Sequence, residues 1–184
     1  MGDVIDRDGF RANVGIVLMA PDGRLFIGRR AGGRGWQFPQ GGMNRGEEAE
    51  QALYRELQEE IGLTQGDVAI VGRTRHWLRY RLPSRYVRRH SRPLCLGQKQ
   101  HWFLLRLRDM ERTIRFDTTQ QPEFDRGRWV DYWQPVREVI YFKRSVYTRA
   151  LHELGPLAFP DGLPPYPRWW RQPDRAVASQ QQPA

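Results

Sequence analysis

Three glutamates stand close together on one face of a predicted helix. The stretch from Glu47 to Glu60 is rich in good helix formers, and Gly62 follows it at the point where a helix is expected to stop. Glu56, Glu59 and Glu60 are three and four residues apart, so their side chains share one helical face. Carboxylates this close repel one another, and a divalent cation would neutralise them. The pattern therefore predicts a metal site, the alternative being a solvated acidic helix face.

The spacing of the surrounding residues distinguishes between these two interpretations. Five residues separate Gly41 from Glu47, seven more follow, and the stretch Arg55–Leu63 completes the pattern. This arrangement is identified as a complete Nudix box, the signature of Mg²⁺-dependent hydrolases of nucleoside diphosphates linked to another group. Every fixed position of the signature is filled, which favours the family over a chance match. The resemblance implies structural roles within the box for Gly41, Glu47, Arg55 and Gly62.

Composition favours a polyanionic partner and a reducing compartment. The 184 residues suit one domain plus a tail, and they carry a net charge of +9. Nucleic acid is the first candidate partner for so basic a chain, although a genomic bias toward arginine would explain much of the imbalance. The single cysteine, Cys95, cannot form an internal disulfide, and the N-terminus lacks a signal-peptide pattern. We therefore expect a cytoplasmic protein, and no apolar run is long enough to span a membrane.

Positive charge is concentrated in one interval of the sequence. No acidic residue occurs between Asp67 and Asp109, whereas arginines are frequent there and aromatic residues such as Trp77 and Tyr86 stand among them. A basic, aromatic strip beside an acidic metal site is typical of a surface that binds the body of an RNA whose phosphate end reaches the metal.

Hydrophobic periodicity predicts an α+β layered domain. A predicted helix begins at Pro135, and apolar residues recur at helical spacing up to Gly155. The segments 82–97 and 112–125 are predicted loops. The predicted strands are Asn13–Ala20, Leu25–Arg30, Val68–Trp77, Gln98–Arg108 and Gly127–Trp133.

The Nudix resemblance makes this fold more specific, as an α/β/α sandwich around a mixed sheet with a loop–helix–loop box. We expect the domain to cover residues 9–153. Residues 154–184 are rich in Pro, Arg and Gln, and they are predicted to form a disordered or loosely docked tail. Within the tail, Trp169 and Trp170 could contact RNA or pack on the domain, and we favour packing or no role over RNA contact.

Beyond the box, the chain resembles the bacterial RNA pyrophosphohydrolases, a branch of the family, from about Asp8 to Glu153. Those enzymes remove pyrophosphate from the 5′ end of RNA and leave a 5′-monophosphate that promotes decay. Two features depart from that branch: the loop from Arg81 to Arg92 is unusually rich in arginine, and the tail does not match closely. The resemblance is carried by the segments Phe10–Val17, Trp36–Gly42, Trp77–Tyr80, Gly97–Gln100, Pro122–Asp125 and Phe142–Arg144.

The resemblance implies a role for each candidate site residue. Glu56, Glu59, Glu60 and the distant Glu123 would hold Mg²⁺ or Mn²⁺, which activates water and stabilises charge on phosphoryl oxygens. Glu56, Glu60 and Glu123 are the candidate catalytic residues, with Glu56 the preferred general base, and Arg55 would orient a box carboxylate. The implied substrate-binding residues are Arg29 and Gln40 at the phosphates, and Arg11, Tyr80, Phe142 and Lys143 at the first nucleotides.

The sequence leaves two rival functions open beside 5′-triphosphate or diphosphate RNA hydrolysis. A hydrolase of dinucleoside polyphosphates would share the box and the approach to it, so nucleoside polyphosphates remain possible substrates. A non-catalytic RNA-binding module of the same fold would not need the box carboxylates, so their presence argues against this alternative. The basic strip and the Phe142–Lys143 pair favour RNA as the substrate.

Overall fold

A computed structural model describes residues 4–33, 35–87, 90, 92–111 and 113–170. In this part of the chain an eight-stranded mixed sheet is combined with three α-helices and three short 3₁₀-helices, so the predicted α+β class is confirmed. The strands are β1 Phe10–Met19, β2 Leu25–Arg30, β3 Trp36–Gln37, β4 Gln40–Gly42, β5 Val68–Arg73, β6 Leu78–Arg81, β7 Gly97–Leu107 and β8 Phe124–Val130. The α-helices are α1 Ala49–Ile61, α2 Gln134–Glu138 and α3 Arg144–Ala158, and the 3₁₀-helices are Gln65–Asp67, Ser84–Tyr86 and Tyr141–Lys143.

The parallel pair of β1 and β7 forms the centre of the sheet. Their register runs from Phe10 opposite Gly97 to Met19 opposite Arg106. All other pairings are antiparallel: β2 and β4 on β1, β5 and β6 on β7, and β3 and β8 on β2. Short β4 thus joins the central strand directly before the box helix.

Helices cover both faces of the sheet, as the predicted sandwich requires. On one face, α1 buries Leu53 and Leu57 against a cluster that includes Ile16. On the other face, α3 buries Tyr147 against Trp102, with ring centroids 5.1 Å apart. None of the described helices is long and apolar enough to cross a membrane.

Helix α1 begins two residues after the predicted start and ends where Gly62 was expected to stop it. The backbone N–H of Asn44 donates to the Glu47 carboxylate at 2.7 Å, so Glu47 closes the preceding turn and lies outside the helix. Gly62 caps the C-terminus with a left-handed φ of 71°, and its N–H donates to the carbonyl of Gln58.

Strand predictions were accurate where strands are long and buried, and less accurate at their ends. The bounds of β2 agree with the prediction. The predicted strand from Val68 to Trp77 is too long, because β5 ends at Arg73 and the next strand, β6, begins only at Leu78, after the predicted end. Thr74 exchanges hydrogen bonds with the backbone of Trp102 through its own N–H and its hydroxyl, after an irregularity in β5. Strand β8 begins at Phe124, three residues before the predicted start.

The predicted helix from Pro135 to Gly155 is also divided. Helix α2 stops at Glu138, and Val139 adopts an extended conformation with φ −72° and ψ 153°. A 3₁₀ turn follows before α3 begins at Arg144, and α3 continues three residues beyond Gly155. The break turns Phe142 and Lys143 away from a regular helical surface and places them at the cavity described below.

The predicted boundary at Glu153 falls inside α3, and the chain after this helix packs on the domain as far as Trp170. Trp133 Nε1 donates to the carbonyl of Pro164 at 2.8 Å. The ring of Trp170 lies 4.9 Å from that of Trp133 and 5.3 Å from that of Tyr166, measured between centroids. The rest of the predicted tail, residues 171–184, lies outside the described residues.

Candidate active site

A cavity of about 530 Å³ lies between the box helix and the 3₁₀ turn Tyr141–Lys143. Acidic residues border it at one end, and aromatic and basic residues border it at the other. Nine of the residues singled out from the sequence line it: Arg11, Gln40, Gly41, Glu56, Glu60, Tyr80, Glu123, Phe142 and Lys143.

Glu56 and Glu60 form the buried inner pair of carboxylates. Each side chain belongs to a residue only 8% exposed. Burial raises the pKa of Glu56, although the Arg55 guanidinium opposes this shift. Burial also raises the pKa of Glu60 well above its usual range, and the negative charge of Glu56 adds to the effect. The positive charge around the two carboxylates is therefore too small to offset the cost of burying both of them in the ionised form.

Strand β4 approaches this pair so closely that only glycine fits at its centre. The backbone N–H of Gln40 donates to Glu60 Oε2 at 2.9 Å. At the next residue, a Cβ on Gly41 would overlap the carboxylate of Glu56. The role of Gly41 in the box is therefore close approach of backbone and carboxylate.

Arg55 holds the acidic residues of the box in place. Its Nε and Nη2 donate to the two oxygens of Glu47 at 2.8 and 2.9 Å, which is the bidentate contact expected of it. Its Nη1 donates to Glu56 at 2.6 Å and to Glu59 at 3.2 Å, and its Nη2 also reaches the carbonyl of Gly42. With these contacts Arg55 orients the box and lies outside the lining of the cavity.

All four predicted metal ligands border one adjoining cleft of about 390 Å³. Glu56, Glu59, Glu60 and Glu123 line it, although Glu123 is separated from the box by more than sixty residues of sequence. The outer two are engaged elsewhere: Glu59 with Arg55, and Glu123 with Arg30 Nε at 2.9 Å. Accordingly, no three acidic, histidine or cysteine side chains among the described residues are close enough to enclose a cation as they are arranged.

The donor set nevertheless suits a hard divalent cation. Mg²⁺ prefers carboxylate and water oxygens, and it needs only a few protein ligands because it retains several waters. The charged forms of Glu56 and Glu60 are disfavoured by burial and by their mutual repulsion. A cation between them would remove both penalties, so the residues present fit the metal that the box implies.

The other end of the cavity is aromatic and basic. The rings of Tyr80 and Phe142 are 6.0 Å apart, and Tyr86 adds a third ring 5.1 Å from Phe142. Lys143 is 8% exposed, and its Nζ donates to Gln37 Oε1 at 3.2 Å. Burial lowers the pKa of Lys143 to about 8, and the charge of Arg30 contributes to this shift.

Arg30, and not the predicted Arg29, lines the cavity. Side chains alternate between the two faces of a strand, so these neighbours point in opposite directions. Arg29 forms a bidentate contact with Asp125, at 2.7 and 2.9 Å, outside the cavity lining. The sequence correctly predicted that the end of β2 lies at the cavity. It could not show which of the two adjacent arginines faces the cavity, because Arg29 and Arg30 have the same side chain.

A chain of hydrogen bonds beneath the cavity was also missed. The Tyr80 hydroxyl donates to Gln98 Oε1 at 2.7 Å. Gln100 Nε2 donates to Gln98 Oε1 at 3.4 Å and to Gln40 Oε1 at 3.2 Å. Since Gln40 donates its N–H to Glu60, the chain connects the aromatic end to the acidic end. The only sequence signal was the alternation of two glutamines in Gly97–Gln100.

The basic strip is less positive than the sequence suggested. Lys99 Nζ lies 2.9 Å from Asp6 Oδ2, and Arg79 Nη1 lies 3.7 Å from Asp8 Oδ2. These acids precede β1 and reach the strip through the parallel pairing of β1 with β7. Two arginines of the strip, Arg88 and Arg89, lie outside the described residues.

Comparisons with known proteins agree with this geometry. The family model described as the NUDIX domain matches residues 9–151. An RNA pyrophosphohydrolase of Alkalilimnicola ehrlichii is 59% identical over 164 residues, which cover 89% of this chain and 91% of that protein. One of Pseudomonas paraeruginosa is 60% identical over 153 residues, covering 83% and 96%. The solved dihydroneopterin triphosphate pyrophosphohydrolase of E. coli has a TM-score of 0.61 at 22% identity, covering 79% and 96%, and it shows the fold alone.

Proposed function

Since the chain belongs to the NUDIX family, we propose that it is an RNA 5′ pyrophosphohydrolase, which converts 5′-triphosphate or diphosphate RNA to 5′-monophosphate RNA and so promotes mRNA decay. One observation carries this proposal: a single cavity joins the buried Glu56–Glu60 pair to the aromatic and basic end at Phe142 and Lys143. The relatives named RNA pyrophosphohydrolase support it across most of the chain. Such an enzyme acts in the cytoplasm, where its RNA substrate is found.

Mg²⁺, or Mn²⁺ in its place, would be held by Glu56, Glu59, Glu60 and Glu123. When bound, the metal supplies Lewis-acid stabilisation of the phosphoryl oxygens and a more acidic water. The contacts of Glu59 and Glu123 with Arg55 and Arg30 would have to be exchanged for the cation.

Residues at the acidic end of the cavity would bind the phosphates and activate the attacking water. Arg30 and Gln40 face the cavity beside the carboxylates, where they would bind the oxygens of the polyphosphate. Arg11, predicted at the first nucleotides, also acts electrostatically on Glu56, so we place it at the phosphates instead. Glu56 is the preferred general base, because its carboxylate lines the cavity and is held in place by Arg55. Glu60 and Glu123 complete the set of catalytic candidates.

The aromatic end would hold the first nucleotides. Bases stack on aromatic rings whatever their sequence, and Tyr80 and Phe142 offer two rings within the cavity. Lys143 offers a positive charge, or a hydrogen bond to a base edge, at the same end.

The principal rival is hydrolysis of dinucleoside polyphosphates, since the acidic and aromatic ends would accommodate a nucleoside polyphosphate equally well. Rates on 5′-triphosphate RNA, 5′-diphosphate RNA and diadenosine tetraphosphate should therefore be compared with Mg²⁺. We expect RNA to be preferred by at least tenfold in kcat/KM. A preference for diadenosine tetraphosphate would instead show that the protein is a dinucleoside polyphosphate hydrolase.

Two matched variants test the acidic site in the same assay. We predict that Glu56→Gln and Glu60→Gln each lower kcat by at least about a hundredfold, because each removes a charge that would hold the metal. The fold should survive, since burial disfavours both charges in the metal-free protein. Retention of activity within a few-fold by both variants at saturating Mg²⁺ would refute the site.

A further inference from the structure

Three exposed side chains form a cationic and aromatic surface at the mouth of the cavity. Tyr86 is 42% exposed and Tyr141 is 52% exposed. The guanidinium carbon of Arg85 lies 5.0 Å from the ring centroid of Tyr86 and 5.6 Å from that of Tyr141. Arg85 Nη2 also donates to the Tyr141 hydroxyl at 3.2 Å. We name Arg85, Tyr86 and Tyr141 the rim platform.

The rim platform continues the cavity outward. Phe142 lines the cavity, and its ring centroid lies 5.1 Å from that of Tyr86 and 5.4 Å from that of Tyr141. The platform is assembled from the turns Ser84–Tyr86 and Tyr141–Lys143, which are far apart in sequence. Tyr86 also lines the cavity, whereas Arg85 and Tyr141 do not, so a chain that leaves past Phe142 and Tyr86 meets Arg85 and Tyr141 next.

The folded domain gives the rim platform no structural role of its own. Neither tyrosine belongs to the two hydrophobic core clusters. Arg85 has no ion pair within the described residues, and the segment 82–97 around it contains no acid in the sequence. Exposed aromatic groups next to an unneutralised cation usually mark a binding surface.

The chemistry of the platform matches single-stranded nucleic acid. Bases stack on aromatic rings, and a nearby guanidinium meets the phosphate of the backbone. We propose that the rim platform binds the nucleotide of the substrate RNA that follows those held at Phe142 and Lys143. This inference rests on the proposed function, because it requires an RNA whose 5′ end occupies the cavity.

The test compares affinities for 5′-triphosphorylated RNAs of two and six nucleotides. The full-length chain carries Glu56→Gln throughout to prevent turnover, and Mg²⁺ is present. Tyr141→Ala should weaken binding of the longer RNA at least fivefold, as expected for the loss of one base–aromatic stack, and that of the shorter RNA less than twofold. Tyr141→Phe keeps the ring and should restore both affinities to within twofold. Met110→Ala removes another large exposed side chain, 43% exposed, and should change neither affinity.

If Tyr141→Ala weakens binding of the two RNAs equally, or of neither, the rim platform does not bind RNA. The surface would then be available to another partner, such as a protein. Failure of Tyr141→Phe to restore binding would also overturn the proposal, because stacking requires only the ring. The proposed function is tested separately, by release of pyrophosphate from the two-nucleotide RNA by the protein without Glu56→Gln. Absence of that release would reject the proposed function, whatever the platform variants show.

Discussion

Gln100 is a single residue that connects both ends of the cavity without lining it. It is fully buried, and its Nε2 lies within hydrogen-bond distance of Gln98 and Gln40. Gln100 Nε2 donates to both of these glutamines and so ties their positions together, while Gln100 Oε1 has no hydrogen-bond partner among the described residues. Gln100 is therefore expected to act as a positioning residue for Glu60 and for the Tyr80 hydroxyl.

We predict that Gln100→Met, which keeps the length of the side chain but removes the donor, lowers kcat about tenfold and raises the Mg²⁺ concentration needed for half-maximal activity. Thr74→Val is the control, because it removes a buried hydrogen bond to Trp102 that lies outside the chain of glutamines. Both variants should lose similar thermal stability. If Thr74→Val also changes the Mg²⁺ requirement, the effect of Gln100 is merely structural.

The buried side chain of Lys143 is expected to make RNA binding depend on pH. Burial lowers its pKa to about 8, so the side chain is mostly cationic at pH 7 and mostly neutral at pH 9. If the cation contacts RNA, we predict that affinity falls by up to about tenfold over this range, as the protonated fraction decreases. The measurement is binding of triphosphorylated RNA to the Glu56→Gln protein at both pH values. Lys143→Met should bind weakly at pH 7 with little further change, and a pH profile unaltered by Lys143→Met would contradict the prediction.

At the scale of elements, the interruption between α2 and α3 determines the aromatic and basic end of the cavity. An unbroken helix through Val139 would keep its side chains in regular helical rows, with no 3₁₀ turn to present Phe142 and Lys143 together. The same region supports the chain after α3, since Trp133 at the start of α2 contacts Pro164 and Trp170. The docked segment, residues 159–170, is therefore expected to stabilise the helices α2 and α3 on which it packs.

Truncation tests the docked segment. We predict that ending the chain after Ala158 lowers Tm by at least about 5 °C, because it uncovers Trp133 and removes the aromatic contacts of Tyr166 and Trp170. Catalysis at 25 °C should stay within a few-fold, since this segment lies outside the cavity lining. A chain that ends after Trp170 is the control and should keep its Tm. An unchanged Tm after the shorter truncation would show that the packing contributes little.

At the scale of the whole molecule, charge is arranged so that RNA extending beyond the 5′ end would meet few unneutralised cations. Acids from the N-terminal segment offset Lys99 and Arg79, whereas Arg73 and Arg75 border a second cleft of about 610 Å³. That cleft begins at Met43, which directly follows the end of β4 in the cavity. The salt dependence of binding should therefore reflect a few cations and not the whole basic interval.

We predict that replacing both Arg73 and Arg75 by alanine reduces the slope of log affinity against log salt by about 1.4 for long RNA, since each lost phosphate contact on a single strand contributes about 0.7. The slope for a two-nucleotide RNA should not change. The control replaces Arg106 and Arg149, which are exposed and line neither cleft. Equal reductions with both pairs would indicate a general effect of net charge.

The sequence alone determined the box helix, its glycine stop, the carboxylates that we propose to hold the metal, and the layered fold. These features depend on interactions between residues a few positions apart, and such interactions are visible as spacing. The tertiary structure decided that Arg30 lines the cavity in place of Arg29, that Gln100 connects its two ends, and that Asp6 reaches Lys99. It also decided where the last predicted helix breaks and where the tail docks. Each of these outcomes depends on which distant segments pack together, and spacing along a single chain does not contain that information.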